Sequence, residues 1–176
     1  GSRNDADIYQ GLYSLAKLRG SQRIKSFDPG GAQVRSILFL PGTNEFLTSD
    51  AQGKVTKWDL SDDGKNYSLI YTGNGPIDVM AVSPDAGWLA CAEQTNSIRM
   101  IPLGGNSEEY LLTGHSGKIR SLLFSYDGKS LYSAALDGKV LKWDMATRTS
   151  TDVNSGAMKI ISIDISSNGK YLAGLN

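Results

Sequence analysis

The segment Ile119-Arg120-Ser121-Leu122-Leu123-Phe124-Ser125 echoes Val34-Arg35-Ser36-Ile37-Leu38-Phe39-Leu40, and Gly138-Lys139-Val140-Leu141-Lys142-Trp143-Asp144 echoes Gly53-Lys54-Val55-Thr56-Lys57-Trp58-Asp59. The two Trp-Asp pairs stand 85 residues apart, close to two periods of about 42. A fixed period with strand-like units confines a chain to repeat architectures, in which each unit buries its apolar faces against its neighbours.

From residue 22 onward the chain reads as short strands and turns. Gln22 to Phe27 alternates like a strand. Four units follow, opening on Val34, Ile77, Ile119 and Ile160 at spacings of 43, 42 and 41. Each opening strand runs into a turn: Pro41-Gly42-Thr43-Asn44, Pro84-Asp85-Ala86-Gly87, Tyr126-Asp127-Gly128 or Ser167-Asn168-Gly169. Pro presets φ there, Asp and Asn bond to the local backbone, and Gly takes positive φ. Second strands start at Glu45, Trp88, Ser130 and Tyr171. Tight turns at Gln52-Gly53, Thr95-Asn96 and Asp137-Gly138 lead to third strands at Val55–Asp59, Ile98–Leu103 and Val140–Met145. Outer fourth strands fit Ser68–Thr72, Glu109–Leu112 and Thr149–Val153.

Four short antiparallel strands per unit of ~40–45 residues describe a β-propeller blade. The expected fold is all-β, with about four blades over 21–176, the last incomplete. The units run about 30–73, 74–113, 114–154 and 155–176. Residues 1–20 are read as a tag remnant (Gly1-Ser2), a short amphipathic helix and a linker. Ile8, Leu12, Leu15 and Leu18 give the helix its apolar side over 5–18, with Asp5 as cap and Gly20 as stop; Gly11 weakens it. The basic stretch Lys17, Arg19, Arg23 and Lys25 reads as solvated linker.

The third unit resembles the WD-repeat family: Gly114-His115, Ile119, Phe124-Ser125, Asp127-Gly128, Ser133, Asp137-Gly138 and Trp143-Asp144 fall in the family's order. The resemblance covers about residues 22–176 and implies a buried hydrogen-bonded set of His115, Ser133, Asp137 and Trp143. In unit one Thr48 and Trp58 keep two of its places, while Gln52 stands for the Asp and Gly30 for the His. Unit two has Ile101 in place of the Trp, and Asn96 or Ser97 near its turn. Outside unit three, rigidity between blades is therefore expected to rest on apolar packing. Lys57 and Lys142 precede the Trp where the family more often has an apolar residue. Their stems are expected along a neighbouring blade.

Gln22–Phe27 suits the outer strand that closes such a ring, yet unit four ends before its third strand, so joining the ends leaves a gap. The chain is expected to continue past Asn176, or else two copies meet to complete the ring. The segment ahead of the repeats resembles the junction in large bacterial multidomain WD-repeat proteins, which often carry an ATPase or signalling module upstream.

Nothing in the chain assembles chemistry. One His and one Cys lie in different units, and His115 suits its framework place. Asp62-Asp63 and Glu108-Glu109 sit in polar loops, and the Gly-Gly pairs lack the Lys-Ser or Lys-Thr of a phosphate loop. No catalytic residue, metal or cofactor is expected. Lys plus Arg and Asp plus Glu number 18 each, so no net field draws the chain to nucleic acid or an anionic membrane. Cys91 lies in an apolar run and reads as a small buried hydrophobe. With no apolar stretch of spanning length and no signal peptide, a cytoplasmic protein is expected.

The function so implied is a non-catalytic scaffold for a protein or peptide partner. The alternatives are a regulatory or sensor propeller of a larger signalling ATPase or enzyme whose catalytic domain lies outside this chain, and a propeller enzyme or small-ligand binder that uses the central channel. By position, the family's frequent binding face points to Arg35, Asp78, Lys118 and Arg120. Trp88 is either an exposed partner anchor or buried beneath a neighbouring loop.

Overall fold

The computed structural model describes residues 13–16, 24–27, 32–62, 66–154, 159–166 and 168–176. It holds three four-stranded antiparallel sheets in unbroken meander order. The first comprises β3 (Val34–Phe39), β4 (Glu45–Asp50), β5 (Lys54–Asp59) and β6 (Tyr67–Thr72). The second comprises β7 (Met80–Val82), β8 (Trp88–Ala92), β9 (Ile98–Pro102) and β10 (Tyr110–Leu112). The third comprises β11 (Ile119–Phe124), β12 (Ser130–Ala135), β13 (Val140–Asp144) and β14 (Ser150–Asp152). Two-stranded sheets flank them: β1 (Tyr13–Ala16) with β2 (Ile24–Phe27), and β15 (Ser162–Ile165) with β16 (Leu172–Leu175). Among the described residues no helix is long and apolar enough to cross a membrane.

The helix expected over 5–18 is corrected where it can be seen. Residues 5–12, 17 and 18 lie outside the described residues, and Tyr13–Ala16 is a strand. Its register runs from Tyr13 opposite Phe27 to Ala16 opposite Ile24. An apolar spacing read over so short a window does not separate a helix from a strand, and here pairing with β2 decides. Of the expected basic linker, Lys17, Arg19 and Arg23 lie outside the described residues, and Lys25 lies in β2.

The core is divided into slabs between consecutive sheets. The period-2 alternation of the strands produces this, because successive side chains leave opposite faces. In the second sheet Leu89, Cys91 and Ile101 join Leu47 and Val55 of the first. Residues that alternate with them along the same two strands, Ala90, Ala92, Ile98 and Met100, join Leu131, Leu141 and Trp143 of the third. Both faces are covered, so β8 is buried at four successive positions and shows no polar alternation. Smaller slabs follow at the flanks. Ile160 and Ile163 meet Ala134 and Val140. Phe27 packs edge-on against Phe46 at 5.0 Å and Trp58 at 5.8 Å. Burial pushes the Cys91 thiol well above its ordinary value, and the nearby Glu93 adds to the shift.

The turn between first and second strands is a repeated device. Ser125 Oγ donates to Asp127 at 2.6 Å and accepts from the Ser130 amide at 2.9 Å, while Asp127 accepts from the Lys129 amide at 3.0 Å. Ser83 with Asp85, and Ser166 with Asn168, repeat the arrangement.

The tight turns into the third strands place Gly53 and Gly138 at φ of 84° and 83°. A Cβ on Gly53 would stand 2.5 Å from the Gly75 carbonyl oxygen, whereas one on Gly138 would meet nothing within 4 Å. Gly138→Ala should therefore cost only the left-handed backbone, about 1 kcal/mol. Gly53→Ala should cost about 3 kcal/mol, because the first sheet must also move away from the 73–75 loop. Urea denaturation of the two variants checks this; equal midpoints would contradict it.

Candidate functional site

Two polar arrangements stand out: a buried set inside the third sheet and an exposed charge cluster where the inner strands begin. In the third sheet, His115 Nδ1 lies 2.9 Å from Asp137 Oδ2 and Nε2 lies 2.7 Å from Ser133 Oγ. Trp143 Nε1–H donates to the same Ser133 Oγ at 2.8 Å. Ser133 then has its own proton free for His115 Nε2, which puts the imidazole proton on Nδ1, facing Asp137. Every polar atom of the set has a partner, as burial requires. Asp137 further accepts from the amides of Ser116 (2.8 Å) and Lys139 (2.9 Å), closing the loop before β11 onto the turn before β13. Burial pushes the Asp137 carboxyl up, but these amide bonds and His115 outweigh it and hold the group below its ordinary value.

A Ser–His–Asp chain has the connectivity of a nucleophilic triad. Here its position withholds that chemistry. Ser133 is 0% exposed and its oxygen is already committed to the Trp143 indole. A reacting carbon has no room beside it.

The first sheet keeps half of this set: Trp58 Nε1–H donates to Thr48 Oγ1 at 2.9 Å. Gln52 does not replace the missing carboxylate. Asp50 does, from two positions earlier, accepting from the amides of Gln52 (2.8 Å) and Lys54 (2.9 Å). Gly30 lies outside the described residues. Ser49 Oγ donates to the Ile77 carbonyl at 2.7 Å and ties the first sheet to the second.

The second sheet has a different solution, one that the sequence reading missed. The Tyr71 hydroxyl of β6 donates to Glu93 Oε1 at 2.7 Å. Arg99 of β9 donates to Glu93 at 3.1 Å and Glu109 at 3.3 Å. Burial, then the bond to Glu93, push the Tyr71 hydroxyl up to about 12. Rigidity between the first two sheets thus has a polar component besides apolar packing. Glu93, Arg99 and Glu109 gave no signal as separate charges, since only the fold brings Tyr71 to them. The ammonium groups of Lys57 and Lys142 have partners on their own sheets, while Lys142 also borders a cleft with Ile165 and Asn168 of the neighbouring hairpin. Lys57 pairs with Glu45 of its own sheet at 2.9 Å, and Lys142 lies 5.9 Å above the Tyr132 ring of its own sheet. Opposite charge or a ring across the strand pair is such a partner.

Of the five candidate contact residues, four come together. Asp78 lies between Lys118 Nζ at 2.6 Å and Arg35 Nε at 3.8 Å. The Lys118 bond lowers the Asp78 carboxyl most, against the opposing effect of burial; the Arg35 and Arg120 charges lower it further. The cluster spans the start of β3, the loop before β7 and the start of β11, and so bridges three sheets. Arg35, Lys118 and Arg120 are exposed, leaving three cations around one anion.

Trp88 stands apart, at the other end of the second sheet's inner hairpin. It is half-buried and edge-on to Tyr110 at 5.3 Å, with the Arg148 guanidinium 3.9 Å above the Tyr110 ring. With Phe124, Tyr126 and Met145 these side chains line an open groove of about 760 Å³ between the second and third sheets. Among the described residues no three His, Cys, Asp or Glu side chains converge as metal ligands.

Residues 106–144 match the family model described as WD domain, G-beta repeat. The chain is 37% identical over 142 residues to an uncharacterized WD repeat-containing protein of Synechocystis, covering 77% of this chain and 39% of that protein. It is 28% identical over 121 residues to periodic tryptophan protein 2 of Saccharomyces cerevisiae, covering 66% of this chain and 13% of that protein. It is 26% identical over 189 residues to transcription factor unc-37 of Caenorhabditis elegans, covering 98% of this chain and 30% of that protein. The chain thus spans between 13% and 39% of the length of these relatives.

Two outcomes follow from the buried sets. Ser133→Ala strands both the His115 ring nitrogen and the Trp143 N–H and should cost about 3 kcal/mol. Thr48→Val strands only the Trp58 N–H and should cost about 1.5 kcal/mol. Paired urea titrations would contradict this if the Thr48 variant were the weaker. Asp78, Asp85, Asp127, Asp137 and Asp144 all titrate below the ordinary aspartate value in the fold. The folded state therefore binds fewer protons than the unfolded chain, and the stability these groups add is complete above about pH 4 and lost as pH falls below it. Urea midpoints measured down the pH scale should drop there, and Asp137→Asn should flatten the drop. A midpoint that rises on acidification would be the wrong sign.

Proposed function

The chain belongs to the WD-repeat family, and from that premise we propose that it is a non-catalytic platform for protein–protein interaction. Its proposed contact surface is the charged rim formed by Arg35, Asp78, Lys118 and Arg120. The observation that carries this reading is the Asp78 bridge. One carboxylate holds Arg35 and Lys118 in place across three sheets, and the rim keeps an excess of positive charge. Side chains fixed before binding lose less freedom on contact, which favours them as a recognition surface. The chemistry that fits is an acidic segment of a partner protein. Exposed ion pairs contribute little to folding, so the cluster is free to serve recognition. The reading as a regulatory module of a longer signalling protein draws on the same surface, and is supported by relatives far longer than this chain.

A labelled library of acidic peptides, read by fluorescence anisotropy, tests the assignment. Arg35→Ala with Arg120→Ala should weaken binding about fivefold, since each exposed contact is worth roughly 0.5 kcal/mol. The melting temperature should not move. Equal binding by the double variant, or a preference for basic peptides, would end the assignment.

A further inference from the structure

The groove between the second and third sheets opens at the opposite end of the strands from the charged rim. Its lips are the turns that leave β7 and β11, and they approach closely enough that a Cβ on Gly128 would stand 3.7 Å from the Pro84 ring. Trp88 and Met145 are half-buried in the groove, while Tyr126 is 60% exposed at its edge. The indole of Trp88 differs from the other two. Trp58 and Trp143 donate to Thr48 and Ser133, whereas the Trp88 indole N–H has no acceptor among the described residues. It is free to donate to a backbone carbonyl laid along the groove.

Charge is sorted along this surface. Asp85 and Asp127 lie at the end nearest the first strands, and Asp144 follows β13. All three are exposed, and each gives Oδ1 to its own turn, which leaves Oδ2 for an outside donor. The Ser83 and Ser125 hydroxyls hold Asp85 and Asp127 below the ordinary aspartate value, as the Thr147 amide holds Asp144, so all three are charged at neutral pH. Lys129 beside Asp127 offsets one of these charges. The other cation, Arg148, sits on the outer flank, 3.9 Å above the ring of Tyr110. Tyr110 opens β10, three strands from β7, or about 14 Å at the usual strand spacing. That exceeds the ~8 Å range of unscreened charge at physiological salt, so Arg148 scarcely opposes a second cation at the inner end. Arg148 also shows what the groove accepts. It adopts a left-handed φ of 61° while its guanidinium rests on a ring of the neighbouring sheet.

We propose that this groove is a second docking surface, which takes an arginine-bearing segment of a partner protein. The guanidinium enters between Asp85 and Asp127 against Tyr126, and the apolar side chains beside it lie on Trp88 and Met145. A planar guanidinium suits the place better than an ammonium, because it forks to carboxylates and stacks on rings. Three carboxylates against Lys129 and Arg148 leave one net negative charge here, and three cations against Asp78 leave two net positive charges at the rim. Arginine peptides therefore bind the groove more weakly than acidic peptides bind the rim.

Indole NMR locates the contact. The isotope-labelled chain is titrated with a pool of blocked heptapeptides, each with a central arginine flanked by leucine, isoleucine or tyrosine. A twin pool carries citrulline, the uncharged isostere, in place of the arginine. The arginine pool should move the Trp88 N–H resonance and leave those of Trp58 and Trp143, both 2% exposed, where they stand. The citrulline pool should bind about fivefold more weakly. Asp85→Asn with Asp127→Asn should abolish that difference. These substitutions keep the turns, since Asn168 accepts from the Ser166 hydroxyl and the Lys170 amide in the β15–β16 hairpin as the aspartates do in theirs. Arg35→Ala with Arg120→Ala should leave binding of the arginine pool unchanged, which separates failure here from failure of the rim reading. Absence of binding, binding with Trp88 unmoved, equal binding of the two pools, or loss of binding in the rim variant overturns the proposal.

Discussion

A four-stranded sheet with apolar side chains on both faces cannot stand alone in water. Each face must be covered, and in this chain the cover is the next sheet. The second sheet displays the constraint most plainly. Leu89 and Ala90 are adjacent in sequence and both 0% exposed, yet they belong to different slabs, one shared with the first sheet and one with the third. Every other feature depends on this sharing. The tight turns return each strand beside the one before it, and the polar sets fix how neighbouring loops meet. The charged rim exists because the inner strands of three sheets start at the same end.

The polar interactions divide by burial. Inside the third sheet a His, a Ser, an Asp and a Trp satisfy one another, and the loss of a single member strands its neighbours. At the rim, Asp78 and its cations sit in water, where the same distances contribute far less to stability. Similar groups therefore serve as a fastening in one place and as an available surface in the other.

The strand pattern was legible in the sequence because it rests on local spacing, and the His115–Ser133–Asp137–Trp143 set because the third unit resembles the WD-repeat family. Turn residues recur at fixed offsets, and the Trp lies ten residues beyond its Ser. The Arg35, Asp78, Lys118 and Arg120 cluster was legible only by position in the repeat. What escaped was non-local or shifted. Asp50 serves a turn from two places earlier than the pattern expects, and Tyr71 meets Glu93 only after two sheets pack. The strand at Tyr13–Ala16 was read as helix because its apolar spacing does not reveal that β2 will pair with it. Lys57 and Lys142 found partners one strand away on their own sheets, which no spacing along the chain displays.

Methyl-resolved NOE spectroscopy tests the stacking of sheets most directly. Leu89 methyls should show cross-peaks to residues of the first sheet such as Leu47 and Val55, and the Met100 methyl to residues of the third such as Leu131 and Leu141. If Leu89 and Met100 shared one set of neighbours, the second sheet would have only one covered face, and the stacked arrangement would be wrong.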